Sequence, residues 1–515
     1  MNSFLETITN VNDAINSFVW VKIGLYLLIG TGILLTIVTK CFQITHFGHW
    51  WKKTGGGVFD KKSHNKKEKG SVSQFQALCT ALAATIGTGN IAGVSAAICI
   101  GGPGAVFWMW VAAFFGMMTN FSENVLGIYY RRKNKEGEWS GGAMYYLQDG
   151  LGSYKGCKVI GKILAVLFSI FAALASFGIG NMGQINKITL NLESAFFSEQ
   201  VRSFTVHTFL GDFKLLSLII GIVLMVGAGV IIIGGLKWIA AVAEKIVPFM
   251  AVAYIIGALV LVIIHIPALP AAFVSIFKFA FGIKAVAGAA AGIAIKQVIT
   301  QGCKRGVFSN EAGLGSSVMV HSNSDVKEPV KQGMWGIFEV FADTFVVCTM
   351  TALIVLTSGY IDLNTGLVQD GVEDATLVAK SFSNVFGIGG EWFIAIAILL
   401  FAFTTVLGWS HYGSKAIEYL MGTKAAKVYK VIFVLMIVAG AIMESSLAWD
   451  ISDTFNGFMM IPNLIGVIAL FPLVKKITDN YVARRIKNKT DVKPMLSFDE
   501  KIQKEHEKLV NNGAE

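Results

Sequence analysis

Long apolar stretches separated by short polar segments recur along the whole chain. Each stretch is roughly 20 residues long, the length that an α-helix needs to cross a hydrocarbon core about 30 Å thick. We therefore predict eleven membrane-spanning helices and an all-α, polytopic membrane protein. The predicted spans lie near residues 17–38, 74–101, 104–130, 160–189, 214–233, 238–264, 284–303, 333–357, 390–420, 428–447 and 454–474.

The composition agrees with this prediction, since hydrophobic residues make up 54% and charged residues 15% of the 515 residues, unlike an average soluble domain. The formal net charge of +10 is concentrated in the loops after the first and third spans and in the C-terminal tail. Short loops rich in Lys and Arg stay in the cytoplasm, so we expect a cytoplasmic C-terminus. The first 21 residues contain no Lys or Arg, so we expect the N-terminus on the outer side of the membrane. Since the positive charge is accounted for by topology, we expect no nucleic-acid partner.

The number of spans predicts an internal repeat. Without the first span, ten remain, and they divide into two groups of five. An odd number of spans gives the second group the opposite orientation, which is the plan of an inverted repeat. We predict an N-terminal helix with a basic cytoplasmic loop (1–70), a first repeat (71–266), a second repeat (267–475) and a cytoplasmic tail (476–515).

One predicted span, at 74–101, is interrupted midway by the sequence GTGN at Gly87–Asn90. Each glycine costs a helix about 1 kcal/mol relative to alanine, so the interruption needs a reason. An unwound turn at mid-membrane would expose backbone groups that can bind a solute or an ion, while close helix packing is the alternative reading. The first helix of the second repeat carries Gly288 and Gly292 among alanines, and we expect a matching break there.

Three further polar residues inside spans are candidates, because polar groups in a membrane are costly unless they face protein or water. Gln184 contacts either a solute or a neighbouring helix. Thr404 and Thr405 offer hydroxyls to a hard cation, which prefers oxygen ligands. Threonines in membrane helices also bond to their own helix carbonyls, so both readings of this pair remain open.

Two carboxylates, Glu339 and Asp343, are one helical turn apart in the eighth span. Ionisable groups in a membrane are functional candidates by default. Pairing with Lys296 or Lys331 would make them structural, and this is the reading that we expect.

No arrangement of residues typical of an enzyme is present in the sequence. The string GIGNMG at 178–183 matches a dinucleotide-binding pattern, but it lies inside an apolar span without the strand and helix that such a site requires. The six cysteines show no CxxC spacing, which favours packing over metal binding. We therefore expect no enzyme activity and no organic cofactor. A channel is also disfavoured, because a broken helix at a closed mid-membrane site suits a carrier better than a continuous pore.

Four strings resemble the alanine or glycine:cation symporter family, the sodium–alanine symporters. They are GGPGAVFWMWVAAFFG at Gly101–Gly116, SGGAMYYL at Ser140–Leu147, GNMGQIN at Gly180–Asn186 and KRGVFSNEAGLGS at Lys304–Ser316. The resemblance extends over nearly the whole chain. It implies the amino-acid-polyamine-organocation superfamily and a leucine-transporter-like pair of inverted five-helix repeats, with one extra N-terminal helix.

The resemblance also implies the residues of a substrate and ion site. The N–H groups of Thr88 and Gly89, with Asn90, would hold the carboxylate of a small amino acid. Gln184 and Trp409 would line the same pocket, with Trp409 limiting the size of the side chain. A sodium ion would be held by the carbonyls of Ala83, Ile86 and Phe401 and by the hydroxyls of Thr404 and Thr405.

The sequence thus predicts a sodium-coupled symporter in the cell membrane that imports a small neutral amino acid, alanine or glycine, by alternating access. Its partners would be the amino acid, Na⁺ as the coupling ion, and membrane lipid. The alternatives are a proton-coupled carrier that uses Glu339 or Asp343, and a glutamine-specific member of the same family. Neither the enantiomer, the sodium stoichiometry nor the oligomeric state follows from the sequence.

Overall fold

The computed structural model describes residues 2–59, 68, 70–208, 211–282, 295–369, 374–443 and 447–511. This part of the chain is mainly helical, with two short antiparallel hairpins, Arg132–Lys133 with Trp139–Ser140 and Thr205–Thr208 with Gly211–Lys214. The principal helices are α1 (Glu6–Val38), α2 (Gln74–Thr85), α3 (Gly89–Gly101), α4 (Gly104–Tyr130), α5 (Lys158–Phe196), α6 (Leu215–Ile233), α7 (Leu236–Ile264), α8 (Ile266–Ala280), α9 (Ile295–Asn310), α10 (Val318–His321), α11 (Pro329–Thr357), α12 (Asp374–Phe386), α13 (Ile388–Met421), α14 (Thr423–Ile442), α15 (Leu447–Ala469), α16 (Phe471–Ile486) and α17 (Glu500–Asn511). Short helical turns at Phe42–Thr45, Phe47–Lys53, Ala143–Ser153 and Glu199–Arg202 connect them.

Eight helices within the described residues are long and apolar enough to cross a membrane, or ten when each bent helix pair is counted as one span. The prediction of a polytopic, all-α membrane protein is therefore confirmed. The predicted seventh span, 284–303, begins outside the described residues, and the exact count of eleven stays a prediction.

The interior of the bundle forms around α4, α9, α11 and α13. Helix α4 packs against α9 and α11, α5 packs against α13 and α15, and α2 packs against α7 and α13. The outer faces of α6 and α7 instead expose large apolar side chains, such as Val223, Phe249 and Ile256. Such surfaces are suited to contact with lipid tails.

The first repeat contains a broken helix where GTGN was expected to interrupt it. Helix α2 begins with a reciprocal cap between Ser73 and Gln76 and ends at Thr85. The backbone of Ile86 is extended, with ψ of 91°, and α3 starts at Gly89 at an angle of 55° to α2. A glycine-rich turn therefore divides one span into two helices.

A second interruption lies after α9, at a place where none was expected, and the break expected at Gly288 and Gly292 stays a prediction. Gly288 and Gly292 fall outside the described residues. Within the described residues, α9 ends at Asn310 and α10 begins at Val318. Glu311 takes a left-handed φ of 56°, and Gly313 and Gly315 also have positive φ, so the chain leaves the helix at this point. The positive φ of a non-glycine residue marks a strained position.

One end of the molecule is held closed by contacts between the loop after α4, the loop before α11 and the C-terminal segment. The Arg131 guanidinium donates to the carbonyls of Ser322, Ser324 and Val326. Arg484 and Arg485 pair with Glu328 at 2.7 and 2.9 Å. We call this region the closed end.

Glu68 strengthens the closed end by pairing with Lys133 at 2.8 Å and with Lys327 at 2.5 Å. Burial alone would raise the pKa of Glu68, but hydrogen bonds and charge from the two lysines overcome this effect and lower the pKa to about 2. The carboxylate is therefore ionised at neutral pH and joins two loops that are distant in sequence.

Candidate substrate and ion site

A cavity lies where the break between α2 and α3 faces α5, α9, α13 and α15. It contains about 290 Å³ of space free of protein atoms, a part of which is open to solvent. Both interrupted helices contribute to its wall. The lining residues are Ala84, Thr85, Gly87, Gly89, Ile179, Gln184, Phe308, Glu311, Thr405, Trp409 and Asn456.

Hydrogen bonds from its own residues and from α5 hold the break in shape. The Asn90 side-chain oxygen accepts from the Gly87 N–H at 2.9 Å. The Thr88 hydroxyl donates to the side-chain oxygen of Gln184 at 3.0 Å, and the Gln184 amide donates to the Ile179 carbonyl at 3.1 Å. The glycine-rich turn is thus held by Asn90 within the turn and by Gln184 of α5.

The structure brings the predicted substrate residues together, although not all of them line the cavity. Gly89, Gln184 and Trp409 belong to the cavity wall. Thr88 bonds to Gln184. Asn90 is not one of the wall residues, because its side chain bonds to Gly87 and to Asp343. Asn90 therefore positions the break and joins it to α11.

Trp409 forms a bulky wall of the cavity and is 2% exposed. Its position depends on Gly180, since a Cβ at Gly180 would overlap the Trp409 side chain. Tyr412 packs against the indole edge-to-face, with ring centroids 5.4 Å apart. A large side chain thus occupies a place where a small residue on the neighbouring helix leaves room for it.

Glu311 is a cavity residue that the sequence reasoning did not select. Its side chain lines the cavity, it is 3% exposed, and one carboxylate oxygen accepts from the Ser316 hydroxyl at 2.5 Å. No Lys, Arg or His within the described residues forms an ion pair with it. The residue lies inside the string KRGVFSNEAGLGS. An acidic residue followed closely by glycines was the sequence pattern that could have indicated its place in the site.

Thr405 lies directly beside the break. A Cβ at Gly87 would be 2.5 Å from the Thr405 hydroxyl oxygen, and α13 approaches α2 closely because Gly408 packs on Ala84. The Thr405 hydroxyl donates to the Phe401 carbonyl at 3.0 Å. The two helices therefore place a hydroxyl and backbone groups close together.

Thr404 has different surroundings from Thr405. Its hydroxyl donates to the carbonyls of Leu400 and Phe401 at 3.0 and 2.9 Å and lies 3.6 Å from the Met250 sulfur. Ala83, Ile86 and Phe401, the predicted carbonyl ligands, have at most 1% exposure. Both threonine hydroxyls thus bond to carbonyls of their own helix, and the sodium site stays a prediction.

The expected pairing of the two intramembrane acids with lysine is wrong. Glu339 pairs with His321 at 2.9 Å. Asp343 accepts hydrogen bonds from the neutral side chains of Asn90, Ser309 and Thr344. Apart from Thr344, which directly follows Asp343, these partners come from other parts of the chain, so the sequence did not indicate them.

Broken helices around a small polar cavity in a membrane-spanning bundle are typical of secondary transporters. A solved structure of MhsT in complex with L-phenylalanine aligns with 80% of this chain and 99% of that chain, with a TM-score of 0.50 and 14% sequence identity. This likeness shows the fold, which is that of the leucine-transporter-like carriers. The class of protein is therefore a multi-pass membrane protein with the fold of these carriers.

A model of the sodium:alanine symporter family matches residues 5–495, and the chain belongs to that family. It is 43% identical to the sodium/alanine symporter AgcS of Methanococcus maripaludis, over 90% of this chain and 94% of that protein. It is 35% identical to a Bacillus subtilis protein described as "Probable sodium/glutamine symporter GlnT", over 96% of this chain and 94% of that protein. The family resemblance stated from the motifs is confirmed, and the family consists of cation-coupled amino-acid symporters, not enzymes.

Proposed function

We propose that this protein imports a small neutral amino acid, alanine or glycine, together with sodium by alternating access. The observation that carries the proposal is the cavity, because it combines a broken-helix backbone, a carboxylate and a bulky aromatic wall. A zwitterionic amino acid has one group for each of these features. The 43% identity to a sodium/alanine symporter supports the same substrate and ion.

The substrate carboxylate would bind at the break, at the N–H groups of Thr88 and Gly89, since helix N-termini favour anions. Its ammonium group would face Glu311, the buried carboxylate of the cavity wall. A charge-assisted hydrogen bond of this kind is stronger than a neutral one. Trp409 would limit the substrate side chain, and Gln184 would hold the break through Thr88.

The sodium ion would bind between the break and α13. Its ligands would be the carbonyls of Ala83, Ile86 and Phe401 and the hydroxyls of Thr404 and Thr405. The short approach of Thr405 to Gly87 supports this position, and all of these ligands are oxygens, which hard cations prefer. One charge moving down 100 mV releases about 2.3 kcal/mol, which sustains a substrate gradient of nearly fifty-fold.

We further propose that residues 71–266 and 267–475 are the two inverted repeats, with the N-terminus outside and the C-terminus in the cytoplasm. The closed end would then be cytoplasmic, because it includes Arg131, Lys133, Arg484 and Arg485. Positive residues are retained on that side of the membrane.

Uptake into proteoliposomes tests the proposal. Purified protein is given an inward sodium gradient alone, a proton gradient alone or neither, with radiolabelled alanine or glycine and with serine, glutamine and D-alanine as competitors. Accumulation of alanine or glycine with the sodium gradient alone is the expected result. Accumulation with the proton gradient alone would refute sodium coupling, and competition by glutamine stronger than by alanine would assign the glutamine alternative.

A further inference from the structure

Two polar atoms of the cavity wall have no hydrogen-bond partner in the described part of the chain. They are the side-chain oxygen of Asn456, on α15, and the hydroxyl oxygen of Thr85, at the end of α2. The two residues are 1% and 4% exposed. A buried polar group without a partner is costly, so these atoms favour a polar ligand group at this part of the wall.

Asn463 shows how a buried asparagine on the same helix is satisfied by bonds within the protein. It lies seven residues after Asn456, a spacing that places both residues on one face of the helix. Its amide donates to the Gly313 carbonyl at 2.9 Å and to the Glu123 carboxylate, and its oxygen accepts from the Tyr146 hydroxyl. Asn456 is as deeply buried, yet none of the described residues donates to its oxygen. Bonding within the protein therefore does not explain the oxygen of Asn456.

Thr85 also differs from a threonine with a purely helical role. Threonines in membrane helices commonly bond to a carbonyl of their own helix, as Thr80 does to Gln76 at 2.7 Å. The Thr85 hydroxyl makes no such bond to any described residue. Helix α2 ends at Thr85, and the backbone is extended at Ile86. The hydroxyl is thus available at the point where the break opens into the cavity.

The proposed binding mode leaves the substrate side chain to meet these two atoms. The carboxylate is assigned to the break at Gly89 and the ammonium group to Glu311, so the side chain is the remaining group that can form hydrogen bonds. A hydroxyl both donates and accepts. It can therefore donate to the Asn456 oxygen and accept from the Thr85 hydroxyl, whereas a methyl group can do neither.

We propose that Asn456 and Thr85 determine the side-chain specificity of this protein and extend its substrates to a small hydroxyl-bearing amino acid, serine. This inference rests on the proposed function and deepens it. Serine should bind at least as tightly as alanine. An amino acid of the same size without the hydroxyl, 2-aminobutyrate, should bind about tenfold more weakly than serine, because it leaves the two buried atoms without a partner.

Competition against radiolabelled alanine bound to the purified protein in sodium buffer tests the inference. Serine and 2-aminobutyrate are compared in the wild type and in Asn456→Leu, which keeps the size of the side chain and removes its polar atoms. The ratio of the two inhibition constants should be about ten in the wild type and near one in the variant. Asn181→Leu is the matched control and should keep the wild-type ratio. The oxygen of Asn181 is also buried and unbonded within the described residues, but Asn181 is not one of the wall residues.

Thr85→Val removes the hydroxyl at nearly constant size and should also lower the ratio, whereas Thr85→Ser should keep it. This pair decides the question if Asn456→Leu does not fold. Equal competition by serine and 2-aminobutyrate in the wild type would overturn the inference, and so would a ratio that stays near ten in Asn456→Leu or, failing that variant, in Thr85→Val. Glutamine displacing alanine better than serine does would assign the two atoms to a carboxamide and overturn the choice of serine. A wild type that does not bind alanine in sodium buffer would instead refute the proposed function.

Discussion

Adding one methyl group at Gly87 tests the proposed sodium site without removing any ligand side chain. The new Cβ would be 2.5 Å from the Thr405 hydroxyl oxygen, about 0.9 Å short of the 3.4 Å at which ordinary contact begins. The hydroxyl must turn or move away, and the ion would lose this ligand. A hydrogen bond or ligand to a charged group is worth about 1.5 kcal/mol or more, so Gly87→Ala should raise the half-saturating sodium concentration about tenfold.

The matched variant is Thr405→Ala, which removes the hydroxyl directly and should produce a rise of the same size. In the double variant the methyl group at Gly87 meets no hydroxyl, and the remaining nearby atoms, the Cβ at position 405 and the Gln184 side-chain oxygen, are at the ordinary contact distances of 3.5 and 3.6 Å. The two effects should therefore not add, and the double variant should match Thr405→Ala. Sodium-dependent alanine uptake in proteoliposomes measures all three variants. Additive losses, or a Gly87→Ala variant with normal sodium dependence, would refute the reasoning.

Three further predictions concern the substrate and the closed end. Gly89→Val should abolish alanine binding in protein that reaches the membrane, because a side chain there, 3.3 Å from the Phe308 ring, fills the approach of the carboxylate; normal affinity would contradict this. Glu311→Gln should weaken alanine binding at least tenfold, because the charge-assisted hydrogen bond to the substrate ammonium group is lost. A loss of sodium affinity as large as the loss of alanine affinity would show that the substitution does not act through this bond. Burial and the charges of Arg131 and Lys327 lower the pKa of His506 from 6.5 to about 3. Docking of α17, which buries the neutral imidazole, should therefore be complete above pH 6.5 and weaken as the pH falls from 6.5 towards 3. Limited proteolysis of the tail measures this, and His506→Gln should remove the pH dependence.

The spans were predictable because their length and apolar character are imposed by the bilayer. The third predicted span, 104–130, coincides with α4 (Gly104–Tyr130). The first break was also predictable, since polar residues among glycines interrupt an uncharged stretch at Gly87–Asn90. Such local patterns need no knowledge of the partner helices.

The second interruption was harder to predict. Its conformation depends on the left-handed backbone of Glu311 and on Gly313 and Gly315, within a stretch that carries charges and therefore did not resemble a membrane span. The glycine–alanine run at Gly288 and Gly292 offered a stronger local pattern. The role of Glu311 in the cavity followed only once the fold had placed the segment opposite the first break.

The hydrogen-bond partners of Asp343 could not be predicted from the sequence either. Asn90, Ser309 and Asp343 are 219 and 34 residues apart along the chain, and no spacing rule joins them. A lysine in the same part of the sequence was the reasonable partner on electrostatic grounds. The structure instead surrounds the acid with neutral side chains, including those of Asn90, Ser309 and Thr344.

The four residues of the first break contact three separate helices, and this arrangement explains how one motif can couple substrate and ion. Thr88 bonds to Gln184 on α5, Asn90 bonds to Asp343 on α11, and Gly87 lies against Thr405 on α13. Each contact needs the break in one conformation, because the Asn90 side chain also holds the Gly87 N–H. An ion bound at the proposed site on α13 would therefore fix this conformation and prepare the backbone for the substrate carboxylate. The linkage must act in both directions, so a variant that loosens the break should weaken sodium binding and amino-acid binding together.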